Sequence, residues 1–158
     1  MKINFKRLIL SLILPQCAGL VGSFWTAPAI ESWYSTLTKP SFSPPNYIFA
    51  PVWIILYLMM SLSIYLIWQK LDKQPKRIKP LMTLFWIHLI INGLWSIVFF
   101  GGQNIQSALI VIGVLWFMIA ILIVRFWKIS KNASFLLVPY FLWVSFASAL
   151  NYALWILN

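Results

Sequence analysis

Acidic residues are almost missing from this chain. Among 158 residues only Glu31 and Asp72 carry carboxylate side chains. Neither lies in a long apolar run, which counts against ion-coupled transport, because proton-coupled carriers usually place an acid inside the membrane. Cysteine is represented by Cys17 alone, so no intrachain disulfide and no thiolate metal cluster can form. Its expected role is packing in the first helix. His88 is the only histidine, which excludes bis-histidine haem ligation within one chain. It reads as a hydrogen-bonded core residue. No nucleotide-binding glycine motif, metal-ligand cluster or catalytic triad is present, and no metal or cofactor is expected.

Charge as a whole is scarce: 62% of the residues are hydrophobic, 18% aromatic and only 9% charged. A soluble domain of this size could not cover its surface with so few polar groups, so the class is all-α integral membrane. Five apolar segments reach the roughly 20 residues a bilayer crossing needs, near Leu8–Ala27, Tyr47–Trp68, Leu81–Gly101, Ile105–Trp127 and Ser134–Ile156. The first lacks a small-x-small cleavage site, and reads as part of the fold rather than a signal peptide. Without internal repeats, residues 1–158 form a single five-helix domain.

The net charge of +10 is distributed by topology. Eleven of the twelve basic residues precede the first span or lie in the links after the second and fourth; Lys39 alone lies on the other side. This pattern places the N-terminus in the cytoplasm and the C-terminus outside, in a multi-pass protein of a bacterial cell membrane. The basic links meet anionic lipid head groups, and nucleic acid is not an expected partner.

Proline concentrates on the outer side. Pro40, Pro44, Pro45 and Pro51 fall within twelve residues, each fixing its own φ and biasing the residue before it to extended backbone. The stiff aromatic loop they build suggests a lid over a pocket between helices. Glu31 and Lys39 flank this segment and could pin it by a salt bridge. Pro75 and Pro80 are expected to break any helix in the basic link at about 69–80, and Gly101–Asn104 to form a tight turn that makes the third and fourth spans antiparallel neighbours.

Three spans carry aromatic and amide stripes at helical spacing: Trp53, Tyr57 and Met60; His88, Asn92, Trp95 and Phe99; Tyr140, Trp143, Ala147 and Asn151. Facing inward, they would line a flat apolar cavity with a few hydrogen-bond donors, suited to a planar hydrophobic molecule with polar edges. Gly19 and Ser23, and Ser145, Ala149 and Ala153, are small residues expected at close intramolecular helix contacts.

At this point the residues show a resemblance. W-Y-x-x-L-x-K-P-S-F-x-P-P at Trp33–Pro45, P-V-W-x-x-L-Y at Pro51–Tyr57, N-x-x-W-S-x-x-F-F-G at Asn92–Gly101 and P-Y-x-x-W-x-x-F-A-x-x-L-N at Pro139–Asn151 resemble the TspO/translocator protein family, also called tryptophan-rich sensory proteins or peripheral-type benzodiazepine receptors. Ten tryptophans fit that description. The resemblance implies a five-helix bundle, often a homodimer, that binds porphyrins such as protoporphyrin IX and, in some members, sterols and isoquinoline carboxamides. It implies a ligand pocket containing Tyr34, Pro44, Trp53, Tyr57, Asn92, Trp95, Ser107, Trp143 and Ala147. Trp53 and Trp143 match tryptophans that some bacterial members use in light-dependent porphyrin degradation. One departure counts against a sterol: Leu150 and Tyr152 are followed by no basic residue through Asn158.

The expected function is that of a membrane receptor for a protoporphyrin-like ligand, acting in tetrapyrrole or stress homeostasis. The rival readings are a light-dependent porphyrin-degrading enzyme, with Trp53 and Trp143 redox-active, and a small-molecule transporter. The topology is checked by a Ser43→Cys variant in a Cys17→Ala background. A membrane-impermeant maleimide is expected to label it from outside intact cells; labelling only from the cytoplasmic face would reverse the orientation.

Overall fold

The computed structural model describes residues 4–158, so Lys2 lies outside the described residues. Five helical stretches are long and apolar enough to cross a membrane. The first is α1 (Phe5–Glu31), capped by the Asn4 side chain, which accepts from the Arg7 N–H at 3.1 Å. A short α2 (Trp33–Thr36) follows. After an extended, proline-rich stretch, a 3-10 turn (Asn46–Ile48) leads into α3 (Phe49–Trp68). Next come α4 (Pro75–Ser96), prolonged by a π-helical turn over Ile97–Gly101, and α5 (Ile105–Trp127). A short α6 (Lys131–Phe135) precedes α7 (Val138–Leu157). With the family membership established below, this is an integral, multi-pass membrane protein.

Prolines shape these helices differently from the sequence expectation. Pro75 does not break a helix but begins one, at the first position, where its missing N–H has no intrahelical partner to lose. Pro80 sits inside α4 and Pro28 inside α1, and both helices continue through them. In a membrane bundle neighbouring helices hold the chain against the lost hydrogen bond. The spans are therefore longer than the hydropathy windows: α1 runs four residues past Ala27, and α4 starts six residues before Leu81.

The helices close a ring in which α1 packs on α3 and α4, α4 on α5, and α5 on α7; α3 and α7 meet only sparsely. The half nearest the basic links is solid. Met60, Ile64 and Ile67 of α3, Ile78 and Phe85 of α4, Leu122 and Phe126 of α5, and Leu137 are all fully buried there. Van der Waals contact is the force available to this half, since lipid tails are as apolar as leucine. Several polar groups within it are matched, while Ser11 Oγ and His88 Nε2 are buried without a partner among the described residues. Ser63 Oγ donates to the Ala133 carbonyl at 2.6 Å and Ser134 Oγ to the Ile123 carbonyl at 2.8 Å, docking α6 against α3 and α5. His88 is fully buried, with Nδ1 2.7 Å from the Phe85 carbonyl. A carbonyl only accepts, so Nδ1 carries the proton. Cys17, expected in the packing, is exposed on the lipid-facing side of α1. Ser145 does mark an intramolecular contact, accepting from Trp116 Nε1 at 2.7 Å.

At the basic end Arg7 donates to Asp72 at 2.6 Å and to the Trp68 carbonyl at 3.1 Å, tying the start of α1 to the α3–α4 link. The Arg7 hydrogen bond holds the fully exposed Asp72 carboxyl below the usual carboxylate range. Its small contribution is complete above that range and is lost as pH falls through the lowered value.

At the opposite end the link after α2 is strapped down. Asn158 Oδ1 accepts from the Thr38 N–H at 2.9 Å, and its Nδ2 donates to the Thr38 carbonyl at 3.1 Å and the Leu154 carbonyl at 2.9 Å. Phe42 lies edge-on to Phe146 of α7, centroids 6.3 Å apart. The predicted Glu31–Lys39 ion pair does not form; Lys39 Nζ instead sits 4.4 Å from the centroid of the Tyr34 ring, a cation–π contact. Asn158→Ala should leave the bundle intact and speed hydrogen exchange of the Thr38 amide by about tenfold, the effect of roughly 1–1.5 kcal/mol. An unchanged exchange rate would show that the strap does not depend on this amide.

Candidate functional site

Above the solid half the helices part around a cavity of ≈ 360 Å³, within the usual range for small-molecule sites. Its walls follow from helical period. From α3 come Phe49, Ala50, Trp53 and Tyr57; from α4 and its π turn come Asn92, Trp95, Phe99 and Phe100; from α7 come Trp143, Ala147, Leu150 and Asn151. The π turn widens the register, so that neighbouring residues Phe99 and Phe100 both reach the cavity.

The closed end is set by one amide. Tyr57 Oη donates to Asn92 Oδ1 at 2.6 Å, and Asn92 Nδ2 donates to Tyr140 Oη at 2.9 Å. Three helices are fastened through these buried side chains, and the rings around them fill the base. Trp53 lies 5.5 Å from Tyr57 and 6.2 Å from Tyr140, centroid to centroid. Tyr57 fits because Gly19 of α1 has no side chain: a Cβ there would sit 2.5 Å from the ring.

Higher in the wall, Trp95 Nε1 donates to Asn151 Oδ1 at 3.1 Å, and Asn151 Nδ2 donates to the Ile105 carbonyl at 2.9 Å. Trp95 stacks on Phe99 at 5.1 Å, and Phe99 meets Trp33 at 5.5 Å and Tyr34 at 6.2 Å. This cluster closes the lid end. Burial raises the Tyr34 hydroxyl above its ordinary pKa. Trp143 Nε1 is buried without a partner among the described residues. Its ring is held by Phe49 at 5.9 Å and Phe146 at 5.5 Å.

The structure therefore brings Tyr34, Trp53, Tyr57, Asn92, Trp95, Trp143 and Ala147 to one cavity. Pro44 and Ser107 are not in its wall. Pro44 is half-buried in the strap, where Asn46 is the residue that reaches the cavity. Ser107 is exposed in the first turn of α5, its N–H bound to the Asn104 cap at 2.8 Å. Met60, His88 and Tyr140, which share the stripes, lie behind the wall in the core. Sequence reasoning missed the whole α1 wall. Gln16, Gly19, Ser23, Thr26 and Ile30 recur along one helical face that lines the cavity. They have no aromatic or charged member; the signals available were the small pair Gly19 and Ser23, read only as a packing contact, and an amide, Gln16, in the middle of an apolar span.

The chain is similar in sequence to known proteins. The model of the TspO/MBR family matches residues 11–156. The tryptophan-rich protein TspO of Archaeoglobus fulgidus is 39% identical over 155 residues, covering 98% of this chain and 99% of that protein. The translocator protein of Bos taurus is 34% identical over 143 residues, covering 90% and 85%. The tryptophan-rich sensory protein of Cereibacter sphaeroides is 32% identical over 128 residues, covering 81% and 78%.

Tyr57→Phe tests the base of the site. It keeps the ring against Gly19 but leaves Asn92 Oδ1 buried without its donor, and it should cost about 1–3 kcal/mol of stability. The expected reading is a lower melting temperature of the purified protein, whereas an unchanged value would show that the bridge does not fasten the bundle.

Proposed function

Since the chain belongs to the TspO/MBR family, we propose that it is a membrane receptor for a tetrapyrrole of the protoporphyrin IX kind, acting in tetrapyrrole or stress homeostasis. The observation that carries this reading is the aromatic cavity itself. Trp53, Trp95, Phe99 and Trp143 converge from three helices on a space closed at one end by packed core. Such walls suit a large flat π-system, and indole and tyrosine edges offer neutral hydrogen bonds. A porphyrin also carries two carboxylates. No cationic residue lines the cavity, and Lys39 sits at its lid end against Tyr34, so the carboxylate edge belongs at that mouth. The wall residues named above all come from one chain.

The closed basic half bears on the rivals. Passage through the bundle would require Met60, Ile64, Phe85 and Phe126, all fully buried, to unpack, which weighs against a simple conduit. Light-dependent degradation has a specific observation in its favour: Trp53 and Trp143 both face the cavity, and Trp53 lies in ring contact with Tyr57 and Tyr140. That arrangement would let an oxidised indole exchange electrons with neighbouring phenols.

Titration of the purified protein with protoporphyrin IX is expected to quench tryptophan fluorescence saturably, and non-saturable quenching would overturn the reading. Trp143→Phe should weaken binding by less than about 1.5 kcal/mol, the upper range for one neutral hydrogen bond. Trp53→Ala should weaken it more, because it opens a hole in the wall. Under illumination a receptor leaves the Soret band of the bound porphyrin in place. A degrading enzyme bleaches it, and Trp143→Phe would then slow the bleaching far more than it weakens binding.

A further inference from the structure

We infer that Gln16 is the ligand-selecting group at the closed end of the cavity, and that it favours a ligand whose inserted edge carries a hydroxyl or carbonyl over one whose inserted edge is hydrocarbon. The inference rests on the porphyrin-receptor reading of the site for the choice of ligand.

Depth comes first. Gln16 stands eleven residues after Phe5 in α1, about 16 Å along the helix at 1.5 Å per residue, near the middle of the span. It lies one turn toward the basic end from Gly19, on whose bare backbone the Tyr57 ring rests. The Tyr57 hydroxyl is part of the bridge that closes the base. Gln16 therefore belongs to the base and lines the cavity there.

Its hydrogen-bonding capacity is unspent. Asn92, the amide that the sequence pointed to, already binds Tyr57 and Tyr140. Asn151 already binds Trp95 and the Ile105 carbonyl. Among the described residues, the Gln16 amide makes no hydrogen bond with any other group, nor is it among the side-chain atoms enclosed without a partner. It is thus open to the cavity space. An amide left unpaired at mid-membrane is costly, and a ligand that satisfies it recovers that cost. Because an amide both donates and accepts, it serves a hydroxyl in either role.

Orientation follows from charge. With the carboxylates at the lid end near Lys39, the opposite edge of a porphyrin enters the base. In protoporphyrin IX that edge carries two vinyl groups. In haematoporphyrin the same positions carry 1-hydroxyethyl groups, with the ring and the propionates unchanged. The pair isolates what Gln16 would read.

The test titrates the full-length protein, in one detergent, with each porphyrin in turn. The unmodified chain and two apolar variants, Gln16→Leu and Gln16→Met, are compared. Met keeps the length of the side chain, so a packing defect in Leu does not decide the outcome. Both variants are expected to weaken haematoporphyrin about five- to tenfold, the effect of one neutral hydrogen bond, and to leave protoporphyrin IX within about twofold. If the two porphyrins shift by the same factor, or neither shifts, Gln16 does not select the ligand, and the receptor reading stands. If the unmodified protein binds neither porphyrin, the receptor reading fails and takes this inference with it.

Discussion

The Tyr57–Asn92–Tyr140 bridge is the interaction on which the rest of this structure depends. Helices in lipid gain nothing from hiding apolar surface from water, so a bundle that opens a cavity surrenders contact it cannot recover elsewhere. Here α3 and α7 meet only sparsely, and one amide, with 2.6 Å and 2.9 Å hydrogen bonds, holds both to α4 where the cavity begins. Below the bridge the side chains are fully enclosed; above it the same helices diverge. The bridge also uses up the polarity of Tyr57 and Asn92, which line the cavity, and of Tyr140 behind them. What is left at the base is apolar ring surface and the one uncommitted amide of α1.

The upper half solves a different problem. It has to be closed without being filled. Aromatic rings achieve this because edge-to-face pairs are rigid and cover large areas with few rotatable bonds. Phe99 is the hub, touching Trp33, Tyr34, Trp95 and Phe100. It is brought there by the π-helical turn, a local departure from regular helix that gives two adjacent phenylalanines a common direction. The strap above hangs on hydrogen bonds from the Asn158 side-chain amide, at the end of α7, and on the pairing of Phe42 with Phe146 in the middle of that helix.

How much of this was legible in the sequence depended on whether a residue's chemistry or its neighbours set its role. The five spans, the antiparallel α4–α5 turn and the inward stripes were legible because apolar length and helical period are local properties. Pro80 misled because a proline does not always end a helix: α4 starts at Pro75 and runs on through Pro80, which stays exposed. Lys39 misled in a similar way. Its nearest attractive group in sequence was Glu31, but the fold put a phenol ring closer. The α1 wall was illegible for a third reason. Gly19 was legible as a close-contact residue, and the Tyr57 ring does rest on it, but small size alone does not say that the same helical face borders a cavity. Pro44 and Ser107 came from the resemblance, and in this chain they stand outside the cavity wall.

The packed lower half makes the cavity a dead end. A molecule that enters leaves by the way it came unless Met60, Ile64, Phe85 and Phe126 unpack, so in the proposed receptor occupancy would track the concentration on the side of entry. In the receptor proposed above, a site of this shape would work as a gauge. What sequence change can tune in it is residence time, through the strap and the rings that must shift before the bound molecule escapes.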